Sequence, residues 1–513
     1  MLFNSYAFIF GFLPVVLIGF FGLSRLSQVY AAGWLALASV FFYGYWNPAY
    51  VGLLLGSIVG NYMFGMWIAR AIEGRRKRLL VTAVVLNLGL LAYYKYANFF
   101  VDSVNAVAGT GWSLGDILLP LGISFFTFTQ IAFLVDTYRG EVKEYNFVHY
   151  LLFVTYFPHL IAGPILHHKE MMPQFAHAST YRVNLDNFGL GMTLFVMGLA
   201  KKVVLADSLA EFPGPIFAAV QAGGQPMLFE AWIAALSYTL QLYFDFSGYS
   251  DMAIGLALMF NVRLPQNFHS PYKATNIIEF WRRWHMTLSR FLRDYLYIPL
   301  GGNRKGKLRR YVNLFATMLL GGLWHGAGWT FVVWGGLHGL FLVINHAWRA
   351  FKPYLGWGDG GWMAQRLSLM LTFLAVVVAW VCFRAPDLAS AVALLSGMAG
   401  LNGVSLSDSI AAALPHLPQQ VALNGLAPLS KVNPDRALIL IVLGLWLVWG
   451  FPNVQQMLHA GRPVYGTVEP APGRVARMLA WRFSPARAWI LAGLCVLSLS
   501  FLTRVRDFLY FQF

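Results

Sequence analysis

Long apolar blocks separated by short polar loops constrain this chain more than any other feature. A helix needs roughly 20 mostly apolar residues to cross a membrane, where the backbone must satisfy its own hydrogen bonds. Blocks that meet or approach this length lie at 5–23, 30–46, 48–69, 79–97, 117–136, 147–166, 188–206, 228–247, 250–262, 312–334, 331–348, 365–383, 437–452 and 487–503. The pattern predicts an all-α polytopic membrane protein.

The composition excludes soluble classes of protein. Hydrophobic residues make up 58% of the 513 residues and charged residues 11%, whereas a soluble domain has about 25% charged residues. The 37 Lys and Arg against 21 Asp and Glu give a net charge of +16. In a membrane protein this excess indicates cytoplasmic loops and anionic lipid, not nucleic acid. Cys382 and Cys495 lack any disulfide or metal-ligand pattern.

Some blocks are too polar or too short to cross the membrane. The 147–166 block carries His159 and the Gly163-Pro164 break, and the 250–262 block has 13 residues. Both are predicted to be re-entrant or cavity-lining. The 312–348 stretch is predicted to contain one span and a half-helix. These exclusions leave about eleven full crossings.

The charges of the loops predict the orientation. Arg25 follows the first block, five basic residues within 70–78 follow the third, and Arg139 follows the fifth, while the intervening loops carry almost none. Basic loops face the cytoplasm, so the N-terminus is expected in the periplasm. The first block lacks the basic flank of a cleavable signal peptide and is expected to be retained. We expect one membrane domain over 1–513, with a variable external loop at 402–436.

The densest group of ionisable residues lies in the segment 279–300. On a wheel of 100° per residue this segment forms one amphipathic helix, whose aromatic face includes Trp281 and Trp284. Its opposite face carries Arg282, Arg283, Arg290 and Arg293. The arginines are predicted to meet either lipid phosphates or a polyphosphate substrate. The loop 301–310 adds five cationic residues but lacks the motif of a nucleotide-binding P-loop.

Two histidines are candidates for acid–base chemistry. His285 falls at the edge of the aromatic face, and His325 lies in a glycine-rich apolar run. An imidazole exchanges a proton near neutral pH, as a general base must, although a buried histidine is often only a hydrogen-bonded structural residue. The glycines predict close approach by a helix or a ligand. His338 lies 13 residues further on, about 220° around a continuous helix, so it is expected on another face.

A third polar segment, 243–255, interrupts an apolar stretch with Asp245 and Asp251 around Gly248. Two interpretations stay open. The segment is a broken helix whose carboxylates bind a cation or line a cavity, or a capped helix end whose acids pair with arginines. His159, which precedes the Gly-Pro break, is a further candidate cavity-lining residue. No metal site is predicted.

The motif WRRWH at 281–285, followed by LWHG at 323–326, resembles the membrane-bound O-acyltransferase (MBOAT) superfamily. The likeness is closest to the alginate O-acetyltransferase branch of bacterial exopolysaccharide acetylases. It extends through the core motifs at 118–348. The segments that carry it are 118–140, 157–166, 242–259, 279–306, 318–339, 381–388 and the terminal FLYFQF.

This resemblance implies a helical bundle in the bacterial inner membrane, with cytoplasmic and periplasmic funnels that meet near a catalytic His325. His285 would support it, and the basic, aromatic segment would bind the phosphates and adenine of CoA. Acetyl-CoA is the implied co-substrate, with no bound cofactor.

The resemblance also implies partners and acceptors. A periplasmic protein of the SGNH type would complete the transfer to an exopolysaccharide, with alginate the expected polymer. The alternatives are the same chemistry on cellulose or peptidoglycan, or a proton- or ion-coupled transporter that uses the intramembrane acids.

Overall fold

A computed structural model describes residues 1–355, 361–406, 422–423, 432–502 and 509. Most of the loop predicted at 402–436, and the terminal FLYFQF apart from Leu509, lie outside the described residues. The helices confirm the all-α class. Two-residue strands, Ser405–Leu406 and Ala422–Leu423, pair in parallel.

The α-helices follow one another with short connections. In chain order they are α1 (Leu13–Leu23), α2 (Gln28–Gly44), α3 (Ala49–Arg70), α4 (Glu73–Leu91), α5 (Ala97–Ala108), α6 (Ile123–Arg139), α7 (Phe147–Thr155), α8 (Phe157–Leu160), α9 (His168–Ala176), α10 (Leu185–Ala200), α11 (Asp207–Leu209), α12 (Pro213–Gln221), α13 (Leu228–Met259), α14 (Ile277–Arg283), α15 (Met286–Leu292), α16 (Gly306–His325), α17 (Trp329–Phe351), α18 (Trp362–Arg384), α19 (Leu388–Met398), α20 (Pro434–Gly450), α21 (Val454–Met457), α22 (Arg474–Leu479) and α23 (Pro485–Phe501). Segments of π-helix occupy Ala7–Phe12, Ala92–Tyr96, Lys201–Ala206 and Arg293–Tyr297, and 3₁₀ turns occupy Ala178–Tyr181, Pro271–Lys273, Lys352–Leu355 and His459–Gly461.

Five helical segments of the described chain are long and apolar enough to cross a membrane. They are Ala49–Arg70, Glu73–Ala108, Leu185–Leu209, Trp329–Tyr354 and Trp362–Arg384. Several apolar helices confirm a multi-pass membrane protein. The figure of about eleven crossings stays a prediction.

The chain divides into two compact units. The first contains Met1–Ala200, Gly248–Asn267 and Val454–Val505, and the second contains Lys201–Ser247, Phe268–Asn453 and Arg506–Phe513. The chain passes from the second unit to the first within α13. The predicted single domain stays a prediction.

In the first unit, buried polar side chains of α3 and α4 satisfy each other. The amide nitrogen of Asn61 donates to the side-chain oxygen of Asn87 at 3.1 Å, and the Asn87 amide donates back at 2.6 Å. A buried amide without a partner costs free energy, so this reciprocal pair explains how polar residues stand within apolar helices. The predicted 147–166 block is interrupted, since α7 ends at Thr155 and α8 at Leu160. Its re-entrant path stays a prediction.

The predicted break in the segment 243–255 is wrong, because α13 is one continuous helix of 32 residues. Glycines that suggested a break serve close packing against α10. A Cβ on Gly255 would lie 2.5 Å from the carbonyl oxygen of Gly191, and a Cβ on Gly198 would lie 2.6 Å from that of Gly248. Small residues let membrane helices approach this closely.

The predicted single amphipathic helix over 279–300 is also wrong. The chain forms α14, leaves the helical conformation at Trp284, and starts α15 after His285, whose φ of 42° and ψ of 53° are left-handed. The wheel therefore assigned one face to arginines that belong to separate helices. A π-helical segment, Arg293–Tyr297, follows α15.

The stretch predicted as one span and a half-helix is instead a hairpin of two full helices, α16 and α17, of 20 and 23 residues. The two backbones pack closely at glycines. A Cβ on Gly322 would lie 2.3 Å from the carbonyl oxygen of Phe331 and 2.9 Å from the Cα of Gly335. The chain reverses at Gly326–Gly328, so the helical period does not continue from His325 to His338.

Gly335 and Gly336 provide a matched pair for testing this contact. A Cβ on Gly335 would lie 2.5 Å from the carbonyl oxygen of Met318, whereas one on Gly336 would meet nothing nearer than 3.8 Å. Gly335→Ala is expected to lower the free energy of unfolding by about 1–3 kcal/mol, because backbone must move. Gly336→Ala is expected to be neutral or stabilising, because alanine favours helix. The thermal midpoints of the two variants in detergent check this, and equal midpoints would contradict the contact.

Candidate functional site

His325 is the last residue of α16, and its side chain is 4% exposed. The next residue, Gly326, has an extended backbone, and α17 begins at Trp329. A Cβ on Gly326 would lie 2.1 Å from the ring of Phe331. The imidazole is therefore held at a helix end beside a tightly packed reversal of the chain.

Aromatic rings surround the imidazole of His325. The ring centroids of Trp324, Trp334 and Phe383 lie 4.9, 5.0 and 5.3 Å from that of His325, at interplanar angles of 73°, 88° and 73°. Such edge-to-face contacts are favourable because the positive edge of one ring meets the negative face of the next. Trp380 completes the group, 5.6 Å from Trp334 and 5.3 Å from Phe383. We call Trp324, Trp334, Trp380 and Phe383 the aromatic cage.

The structure brings His285 next to His325. Their ring centroids are 6.5 Å apart, and His285 is fully buried, with the ring of Phe246 edge-on at 4.8 Å. A left-handed backbone at a residue other than glycine costs about 1–3 kcal/mol and persists where the surroundings fix it, often at active sites. The neighbourhood of the two histidines agrees with their predicted pairing, and their catalytic roles stay predictions.

The electrostatic setting keeps the imidazole of His285 uncharged. His285 lies between two short helices, outside the five candidate spans. Burial lowers its pKa to about 3, because water no longer stabilises the charged ring. At neutral pH the ring therefore has one nitrogen that donates and one that accepts.

Sequence reasoning missed His338, which lies near the same cage. Its ring centroid is 4.9 Å from that of Trp334, the tryptophan that also contacts His325. The expectation that His338 faces elsewhere is wrong, because it assumed a continuous helix. The Gly-Ala-Gly sequence at 326–328 was the signal that a new helix, with a new phase, begins at Trp329.

Trp281 and Trp284, predicted to bind the donor, are buried against the cage. Trp281 packs edge-on against His338, with centroids 5.1 Å apart, and its indole N–H donates to Nδ1 of His338 at 3.3 Å. Trp284 lies 4.9 Å from Trp380. Both therefore help to fix the walls around the histidines.

The four arginines differ in their surroundings. Arg283 forms an ion pair with Glu279 at 2.7 Å. Arg293 forms two hydrogen bonds with Asp294, at 2.7 and 3.1 Å. Arg290 is half-buried, and Arg282 is exposed. Within the described part of the chain, no ion pair involves Arg282.

Asp245 takes part in a buried ionic group of the second unit. The ammonium of Lys202 lies 2.7 Å from carboxylate oxygens of both Asp207 and Asp245. The backbone N–H of Leu509 donates to the other oxygen of Asp245 at 3.1 Å. Asp245 therefore forms an ion pair within the protein, as the second interpretation expected. Its partner is Lys202 and not an arginine.

Asp251 and His159 belong to the first unit. Asp251 accepts a hydrogen bond from the side chain of Gln455. His159 is buried in α8, and a Cβ on Gly163 would lie 2.3 Å from the Cα of His159, which marks a tight turn. Cavity-lining by either residue stays a prediction. Among the residues that the structure describes, no cluster of three His, Cys, Asp or Glu is arranged to hold a metal ion.

Comparison with known proteins connects this geometry to a reaction class. A model of the MBOAT, membrane-bound O-acyltransferase family, matches residues 137–383, which include both predicted catalytic histidines and the aromatic cage. The chain is 47% identical over 438 residues to a peptidoglycan O-acetyltransferase of Helicobacter pylori, covering 79% of this chain and 81% of that protein. It is 45% identical over 416 residues to a "Probable alginate O-acetylase AlgI" of Pseudomonas aeruginosa, covering 80% and 76%.

A more distant relative widens the chemistry within the family. A teichoic acid D-alanyltransferase of Streptococcus thermophilus is 28% identical over 282 residues, covering 51% of this chain and 68% of that protein. The comparisons confirm the resemblance that the histidine motifs indicated. This chain belongs to the membrane-bound O-acyltransferase family, and it is an O-acyltransferase.

Proposed function

We propose that this enzyme takes acetyl groups from acetyl-CoA at the cytoplasmic face of a bacterial inner membrane and passes them on for O-acetylation of an exopolysaccharide, alginate. The observation that carries the proposal is the pair His285 and His325, with centroids 6.5 Å apart beside the aromatic cage. Relatives named as O-acetylases and O-acetyltransferases support acetyl as the group transferred. Peptidoglycan and cellulose are the alternative acceptors.

The reaction needs a base that is uncharged when the substrates arrive. The acceptor's hydroxyl oxygen attacks the carbonyl carbon of the thioester, while His325 takes the hydroxyl proton. The C–S bond then breaks, and the sulfur leaves as the thiol of CoA after receiving that proton. No serine or cysteine of the sequence stands in a nucleophile motif such as GxSxG, so the acceptor supplies the attacking oxygen. His285 supports His325 from the neighbouring segment.

Cationic residues of the second unit provide contacts for the phosphates of CoA. Arg282 at the end of α14 is exposed, and so are Arg304, Lys305, Lys307 and Arg309 in and after the loop before α16. Guanidinium groups suit phosphate geometry. Arg290 contributes from α15, while Arg283 and Arg293 must exchange their carboxylate partners, Glu279 and Asp294, for phosphate.

The acceptor side requires a second protein. A long charged polymer reaches a buried imidazole only at a cost of several kcal/mol per charge in the membrane. A periplasmic partner of the SGNH type, whose side chain carries the acetyl group onward, avoids that cost. The N-terminus on the periplasmic side and about eleven crossings complete this proposed topology.

The transporter alternative receives no support from the acids on which it depended. Asp245 is held by Lys202 at 2.7 Å, and Asp251 accepts from Gln455. Both contacts engage the carboxylates within the protein. Membership of the membrane-bound O-acyltransferase family supports the acyltransferase proposal over the transporter alternative.

Replacing His325 tests the proposed reaction. In inverted vesicles from cells that lack their own copy, His325→Ala is expected to reduce acetyl-CoA-dependent release of free CoA by roughly 10²–10⁴-fold, the usual contribution of a general base. His285→Ala is expected to lose less, because it acts through His325. His177→Ala, at an exposed histidine, serves as the control and should keep full activity. Wild-type CoA release by His325→Ala at equal protein level would eliminate the proposal.

Removing the exposed guanidinium of Arg282 tests the donor contacts. Charge-assisted contacts with phosphate contribute about 1.5–3 kcal/mol, so Arg282→Ala is expected to raise the KM for acetyl-CoA about 10- to 100-fold if one contact is lost. Arg75→Ala removes an exposed charge from another basic loop and should leave the KM unchanged. If the KM for acetyl-CoA is unchanged in a variant that lacks both Arg282 and Arg290, the donor does not bind these arginines. Contact with lipid phosphates would then be their remaining role.

Reconstitution tests the need for a partner. Vesicles that contain only this protein, with labelled acetyl-CoA outside and alginate inside, should leave the polymer unlabelled, because a long charged polymer reaches the buried His325 only at a high cost in free energy. Adding the periplasmic partner inside should label it. Peptidoglycan fragments and cellulose oligomers in place of alginate identify the acceptor. Efficient labelling by this protein alone would contradict the prediction.

A further inference from the structure

His338 is buried beside the proposed catalytic pair, yet the proposed chemistry does not use it. The residue lies in the middle of α17 and is 0% exposed. Its Nδ1 accepts a hydrogen bond from the indole N–H of Trp281 at 3.3 Å. A neutral imidazole carries one proton, so a ring that accepts at Nδ1 donates from Nε2. Trp281 therefore selects the form of His338 whose N–H is at Nε2.

That Nε2 atom is a buried donor without a hydrogen-bond partner in the described part of the chain. The indole nitrogens of Trp334 and Trp380 are also buried and also have no hydrogen-bond partner among the described residues. Buried donors in folded proteins are nearly always satisfied, because each orphan costs free energy. Three such donors in one cluster point to an acceptor atom that enters the cluster during the reaction.

The three donors lie together and next to His325. The ring centroid of His338 is 4.9 Å from that of Trp334 and 6.1 Å from that of Trp380, and Trp334 and Trp380 are 5.6 Å apart. The ring of Trp334 also lies 5.0 Å from that of His325. A carbonyl group whose carbon is attacked beside His325 thus has N–H donors close by.

We propose that the Nε2–H of His338, together with the indole N–H of Trp334, binds the carbonyl oxygen of the acyl group and stabilises the negative charge that it gains. When the acceptor's oxygen bonds to the carbonyl carbon, the π electron pair moves onto the carbonyl oxygen, and the hydroxyl proton goes to His325. When the pair returns, the C–S bond breaks, and the thiolate takes the proton from His325. His338 is then a catalytic residue, and Trp281 is the positioning residue that fixes its tautomer.

The surroundings favour this role over a purely structural one. N–H donors that are already oriented in a water-poor site act strongly on a developing charge, because no solvent reorganisation is needed. An aromatic ring without nitrogen would fill the same space among Trp281, Trp334 and Trp380. In His338, Nδ1 accepts from Trp281, and Nε2 has no hydrogen-bond partner among the described residues. This arrangement leaves an oriented N–H for an oxyanion.

The test compares two replacements of His338 in the inverted vesicles described above. His338→Phe keeps a ring and removes the N–H, so kcat for CoA release is expected to fall about 10²–10³-fold, with little change in the KM for acetyl-CoA. His338→Gln places an amide N–H near the position of Nε2 and should recover at least part of kcat. Trp281→Phe should lose several-fold in kcat. If His338→Phe does not fold, Trp334→Phe takes its place, with the same expected loss in kcat.

The outcomes separate this inference from the proposed function on which it rests. Three outcomes would overturn the oxyanion role. They are a kcat of His338→Phe equal to that of wild type, an effect of that variant on KM alone, and equal losses of kcat in His338→Phe and His338→Gln. His325→Ala is measured in the same preparation. If that variant keeps wild-type CoA release, the proposed function fails. If it loses activity while His338→Phe keeps kcat, only the role of His338 fails.

Discussion

The close approach of α16 and α17 is the contact on which the candidate site depends. Gly322 and Gly335 let the two backbones meet, since a Cβ on either residue would collide with the other helix. In a membrane, helices gain little from hydrophobic burial, so close packing of small residues holds them together. This contact sets the phase of α17 and places Trp334 and His338 beside His325. A bulkier residue at either glycine shifts all three side chains at once.

The second constraint is the burial of the histidines. His285 is fully buried and stays neutral at physiological pH, since its pKa is lowered to about 3. A dry enclosure of aromatic rings strengthens the action of a few N–H dipoles and protects a reactive thioester from hydrolysis. Nearby charges are compensated, as the contact of Lys202 with Asp245 shows. The site therefore combines a neutral His285 with a small number of N–H donors near His325.

The apolar blocks and the two histidine motifs were predictable from the sequence, because membrane thickness fixes helix length and the motifs are long. The backbone at His285 was not, since tertiary packing imposes its left-handed conformation on a segment with helical periodicity. Gly248 suggested a break in α13 but instead packs against α10, where a Cβ on Gly198 would lie 2.6 Å from its carbonyl oxygen. His338 was missed because its face was calculated across the reversal at Gly326–Gly328. Local patterns thus identified the chemistry, while long-range packing decided the phase.

In the proposed reaction the acyl group of the donor is held beside His325 within the aromatic cage. A CoA derivative whose short acyl chain carries a photoreactive diazirine tests this placement, with the crosslinked residues mapped by mass spectrometry. We expect adducts within 320–340 and 380–384 that excess acetyl-CoA suppresses. Adducts suppressed by acetyl-CoA but confined to 1–200 would contradict it.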